Sequence, residues 1–79
     1  MNLNKYISVS PTISFGKPCF KGTRINVATI LELLEADVSM DELISEDYYP
    51  QLTKKHIQAA LHYAAVLIGS GEYVPFVKI

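Results

Sequence analysis

At 79 residues and a formal net charge of -1, the chain has room for one domain, and a domain this short buries only roughly 60% of its unfolded surface. An apolar content of 49% is high for that size and points to a partner chain, with homodimerisation as the simplest form. A pI near 6.0 argues against a strong nonspecific nucleic-acid binder, the single cysteine cannot form an internal disulfide, and no run approaches the roughly 18 apolar residues of a membrane span. Met1–Lys5 lacks the apolar core of a signal peptide, so the expectation is a soluble, cytoplasmic protein.

Residues 1–26 read as an extended arm or hairpin. Tyr6-Ile7-Ser8-Val9-Ser10 alternates apolar with polar, and Cys19-Phe20 and Arg24-Ile25-Asn26-Val27 flank Lys21-Gly22-Thr23. The stretch Gly16–Ile25 concentrates glycines, a proline and cations just ahead of a helical region, which implies a fixed backbone path. Charge is uneven along the chain. Residues 1–24 carry Lys5, Lys17, Lys21 and Arg24 and no acid, whereas residues 25–53 carry only acids among their charged side chains.

Three helices follow over residues 27–69, and they form a trihelical core. Val27, Ile30, Leu31, Leu34 and Val38 make one apolar stripe, with Thr29, Glu32 and Glu35 facing away. Ser39-Met40-Asp41-Glu42 fits a capping box and starts a second helix of roughly eight residues, which Pro50 ends. Met40, Leu43 and Ile44 supply its buried side. Thr53 caps a third helix, striped by Ile57, Ala60, Leu61, Ala64 and Ile68 and stopped at Gly69. Residues 70–79 form an apolar tail whose Tyr73, Val74 and Phe76 either fold back on the chain or dock on another protein, docking being preferred.

The second and third helices resemble a helix-turn-helix, although the Tyr48–Leu52 connection is long for one. Lys54 and Lys55 sit in the first turn of the third helix, where the helix dipole disfavours cations. Phosphate contact would explain them, with Gln58 and His62 as groove-facing residues. Solvated surface lysines explain them as well. Arg24 suits a bidentate pair with a carboxylate such as Asp47, aimed by Gly22-Thr23, in preference to direct phosphate contact. Cys19, paired with Phe20, reads as a buried structural thiol. His56 and His62, six apart, suit solvated or capping roles, not a metal pair. With no P-loop, dinucleotide fingerprint or zinc spacing, neither enzyme activity nor a cofactor or metal is expected.

Ser10-Pro11 with Ile13, Phe15-Gly16-Lys17-Pro18, Lys21-Gly22-Thr23-Arg24-Ile25, Val27, Ile30 and Leu31 carry a resemblance that continues through Tyr49-Pro50, Leu52-Thr53, Ile57, Ala59-Ala60-Leu61 and Tyr63-Ala64. Over about residues 6–65 the chain resembles the family numbered 433 among domains of unknown function. That resemblance implies a helix-turn-helix-like trihelical core. It also implies a VapB-like antitoxin that neutralises a PIN-type ribonuclease toxin and binds its operator DNA as an autorepressor. Two positions depart from the family's habit: Cys19-Phe20 replaces a small aliphatic pair, and Glu35-Ala36-Asp37 stands where a glycine often precedes the second helix.

Taken together, the expectation is a mainly α, homeodomain-like core with a short N-terminal β-hairpin arm. Lys54, Lys55, Gln58 and His62 are the candidate DNA contacts, and Tyr73, Val74 and Phe76 the candidate partner contacts. Gly22, Thr23, Arg24 and Asp47 are structural. The competing reading is a protein-interaction or dimerisation module without DNA binding.

Overall fold

In the computed structural model, which describes residues 1–69, the alternating Tyr6-Ile7-Ser8 segment and the Cys19-Phe20 pair become strands β1 (Ile7–Ser8) and β2 (Cys19–Phe20). They pair antiparallel, Ile7 opposite Phe20 and Ser8 opposite Cys19. β2 is bonded on its other side too, through a bridge between Cys19 and Asn26 and through Phe20 N donating to Ile25 O at 3.0 Å. A strand flanked on both sides can be apolar on both faces, and Cys19 and Phe20 are both buried. The return from β2 turns at Gly22, whose φ of 78° is one that glycine adopts freely. The Thr23 hydroxyl locks that turn, donating to Phe20 O (2.8 Å) and accepting from Ile25 N (3.0 Å).

Helix α1 (Val27–Glu35) buries Val27 and Ile30, while Leu31, Leu34 and Val38 of the expected stripe pack half-buried beside them. It ends in a Schellman motif: Val38 N donates to Leu33 O and Asp37 N to Leu34 O, both at 3.0 Å. The left-handed residue of that motif is Asp37, with φ 69°. Helix α2 (Met40–Leu43) opens on the expected capping box, Glu42 N to Ser39 Oγ and Ser39 N to Glu42 Oε1, each 3.1 Å. It is shorter than expected, four residues instead of roughly eight. The Ser45 hydroxyl ends it by donating to Glu42 O at 2.7 Å and accepting from Asp47 N at 3.2 Å, so the side chain competes with the helical ladder. Residues 44–53 then run as successive turns into helix α3 (Lys54–Ile68).

Phe20, Ile30, Leu43 and Ile57 are fully buried and join the hairpin, α1, α2 and α3 in one core with Ile7, Val27, Leu52, Ala59 and Ala60. Among the described residues, the fully buried positions of α3 lie in its first half, with Tyr63 half-buried against the core beyond them. Leu61 and Ile68, expected on its buried stripe, are 46% and 77% exposed, with Val66 and Leu67 also exposed. The buried stripe runs instead through Ile57, Ala59 and Ala60, on a helix that packs against both α1 and α2. Residues 70–79, including the candidate partner contacts Tyr73, Val74 and Phe76, lie outside the described residues.

Candidate functional site

The N-terminus of α3 is built around a histidine. In a capping box the third helical residue reaches back to the cap, usually as Glu or Gln; here His56 takes that role. Thr53 N donates to His56 Nδ1 at 3.1 Å, and the Thr53 hydroxyl lies 3.0 Å from the same nitrogen. Nδ1 must therefore be unprotonated. The ring also meets the hairpin edge-on, 5.3 Å from Tyr6 and 5.6 Å from Phe20 between centroids. Burial lowers its pKa below the usual 6.5. One side chain thus caps α3 and ties it to the arm. The Thr-x-x-His spacing was the available signal, but histidine is not the residue that a capping-box search looks for.

Beyond the cap, the candidate DNA contacts Lys54, Lys55, Gln58 and His62 are all exposed. Lys55, Gln58 and His62 follow i, i+3, i+7, and Lys54 stands one turn before Gln58, so the four share a face opposite Ile57 and Ala60. Lys54 has a local partner, with Nζ 3.3 Å from Asp41 Oδ1 of α2. Both groups are well exposed, and such a pair is worth at most about 1 kcal/mol. It offsets the dipole penalty for Lys54 and leaves Lys55 as the cation without that relief. Along the flank of the same face Leu61, Ala65 and Ile68 form an exposed apolar row at i, i+4, i+7.

The arm carries a second surface. Gly22 and Thr23 form the turn that follows β2. Arg24 and Asp47 do not pair: ion pairing among the described residues is confined to Lys54 and Asp41. Arg24 is exposed and lines a hollow of about 770 Å³ with Ser8, Ile13, Gly22, Thr23, Ile25 and Gln51. The arm has no need of the ion pair, since burying Phe20 and Ile7 outweighs a surface pair worth about 0–1 kcal/mol.

Between β1 and β2 the backbone does something that residue patterns did not disclose. Ser14, Phe15 and Gly16 have φ of 53°, 57° and 82°, a left-handed turn of consecutive residues. For the two with a side chain, that conformation costs roughly 1–2 kcal/mol each. Hydrogen bonds hold it: Gly16 N to Ile13 O and Lys17 N to Ser14 O, both 3.1 Å, and Ser14 Oγ to Asn26 Oδ1 at 2.7 Å. The same Asn26 oxygen accepts from Cys19 Sγ at 3.3 Å, which gives the buried thiol the structural place expected of it. At the apex Phe15 is 98% exposed.

Among the described residues no cluster of His, Cys, Asp or Glu could hold a metal ion, and no helix is long and apolar enough to cross a membrane. Comparison with known proteins gives a match to the family described as Protein of unknown function (DUF433) over residues 7–64. Among solved structures, the crystal structure of a DUF433 member protein from Anabaena variabilis ATCC 29413 superposes with a TM-score of 0.72 at 30% identity. The match covers 80% of this chain and 60% of that one, so the chain spans less than two thirds of that relative. No curated protein matches. The matched residues run from β1 to the middle of α3 and include the Gly22 turn, both capping boxes and the Schellman end of α1, so the chain belongs to the DUF433 family.

Proposed function

We propose that this chain is a non-enzymatic, cytoplasmic antitoxin of a type II toxin–antitoxin pair, neutralising a PIN-type ribonuclease and repressing its own operator, and that it acts as a homodimer. The observation that carries the DNA half is the shared, exposed face of Lys54, Lys55, Gln58 and His62 at the start of α3. An exposed face that opens a helix behind a helical pair suits the major groove, with lysines on phosphates and amide and imidazole groups on base edges. The exposed row Leu61, Ala65 and Ile68 supports a protein partner on the same helix.

A gel shift with the DNA upstream of its own coding region, repeated across salt, tests the reading. Specific binding should weaken with salt, and Lys55→Ala should reduce the salt slope by about one counterion. No shift, with or without a co-expressed PIN-type partner, would sink the repressor role. The competing reading, an interaction module without DNA binding, is favoured by two features: the connection over residues 44–53 is long for a helix-turn-helix, and Asp41 sits against Lys54. Co-purification with the toxin and no shift on any DNA is the outcome it expects.

A further inference from the structure

We propose that the left-handed turn Ser14–Gly16 is a contact for single-stranded nucleic acid, in which Phe15 stacks on an unpaired base and Lys17, Lys21 and Arg24 meet the phosphates. This surface is separate from the α3 face, and the proposal stands without that one.

Its first support is the backbone. Two residues with side chains are held at positive φ, and the result is a large apolar ring in water at 98% exposure. Strain of this kind persists only where the surroundings over-determine it, and it concentrates at binding sites. Here the surroundings do so: the turn is tied to β2 and to the residue before α1 through the Ser14 Oγ–Asn26 Oδ1–Cys19 Sγ contacts. The ring is therefore presented on a preset backbone.

Charge is the second support. Lys17, Lys21 and Arg24 are exposed, none is in an ion pair among the described residues, and no acid occurs in the sequence before Glu32. On a chain of net charge -1, the arm is cationic in sequence against the global balance. An anionic ligand with a flat apolar element complements it.

The ring's neighbours separate a nucleic acid from an acidic protein partner. An aromatic anchor in a protein interface is ringed by contacts that exclude water. Phe15 is flanked in the chain by Ser14, Gly16 and Lys17, none of them a large apolar residue, and its ring stands 98% exposed. Base stacking needs only a free aromatic face, with cations for the backbone, and it tolerates any base. Arg24, one of the three cations, lines a hollow on the same arm with Ile13, Ile25 and Gln51.

The sequence has no tryptophan, so Phe15→Trp places a unique fluorophore at the apex. The full chain carrying it is titrated with oligo(dT) and oligo(rU) strands of about 20 nucleotides, and with a duplex of similar length. Stacking should quench the emission with a single strand and not with the duplex; the two strands separate DNA from RNA as the source. Phe15→Ala in the otherwise native chain should weaken single-strand binding, followed by anisotropy, roughly 5- to 150-fold, the range that stacking one base corresponds to. Because Phe15 is exposed, both variants should keep the native melting transition. Quenching by the duplex alone, no binding of either strand, or strand binding that Phe15→Ala leaves unchanged would each overturn the assignment. In the last case, loss of binding in Lys55→Ala would place the strand on α3 and leave the operator reading intact.

Discussion

Replacing Asp37 by glycine should stabilise this domain, and the end of α1 shows why. Asp37 is the left-handed residue of a Schellman motif, at φ 69°, with Val38 N and Asp37 N closing on Leu33 O and Leu34 O. Two unfavourable effects meet there. A Cβ in that conformation costs roughly 1–2 kcal/mol, of which glycine returns about 0.5–1 through its freer unfolded chain. The carboxylate also stands at the negative end of a helix with no base in its last turn, which costs a further few tenths of a kcal/mol at an exposed site. Asp37→Gly should therefore gain roughly 0.5–1 kcal/mol, read as a rise of about 2–8 °C in melting temperature. Asp37→Asn removes the charge and keeps the Cβ, so it should gain a few tenths, and that gain should shrink in high salt. The decisive comparison is glycine against alanine, since both remove the charge and differ by the Cβ alone. Urea melts of the set decide it. An alanine variant as stable as the glycine one would refute the argument.

Three further outcomes follow from the packing. His56 accepts hydrogen bonds at Nδ1 and is held neutral by burial, so its pKa is lower folded than unfolded. Its contribution should be complete above about pH 6.5 and lost as pH falls toward the folded pKa; urea midpoints from pH 5 to 8 should show the slope, and His56→Gln, which keeps an acceptor, should flatten it. Phe20→Ala should cost about 3–5 kcal/mol and leave little thermal transition, because the ring is fully buried where the hairpin meets α3. Thr23→Val strips the hydroxyl that bonds Phe20 O and Ile25 N and should cost about 1–3 kcal/mol, with Thr23→Ser recovering most of it in the same melt.

What could be read from residues alone was what short spacing determines. The Ser39–Glu42 box lies within one helical turn, and its two bonds formed as the pattern required. The Gly22 turn was equally local. Where the outcome depended on reach, the pattern failed. Periodicity identifies Leu61 and Ile68 as apolar but not that, among the described residues, the fully buried positions of α3 are confined to Ile57, Ala59 and Ala60. Ser45 ended α2 early through its own hydroxyl, a choice between two local bonds that spacing does not weigh. Opposite charge and a turn that could aim Arg24 do not determine whether it and Asp47 face each other, and the two do not pair. Phe15 was hardest. Gly16 marks a turn, but nothing in Ser-Phe-Gly announces that the two residues before the glycine also take positive φ.

Asp37 and Phe15 are both residues with side chains in a conformation that favours glycine, yet their surroundings differ in a way that predicts different roles. Asp37 exposes only a carboxylate, and glycine there would leave every backbone bond of the motif in place. The Ser14–Gly16 turn instead holds an aromatic ring out in solvent and is tied to β2 and the start of α1. If the first is slack and the second serves binding, relieving each should separate stability from function. Asp37→Gly should raise stability without changing any binding. Phe15→Asn, which tolerates positive φ better and is exposed in any case, should also stabilise, by up to about 1 kcal/mol, but should lose affinity for single strands as Phe15→Ala does. A Phe15→Asn variant that gained stability and bound as tightly as the parent would place both positions in the same class, as tolerated strain without a role.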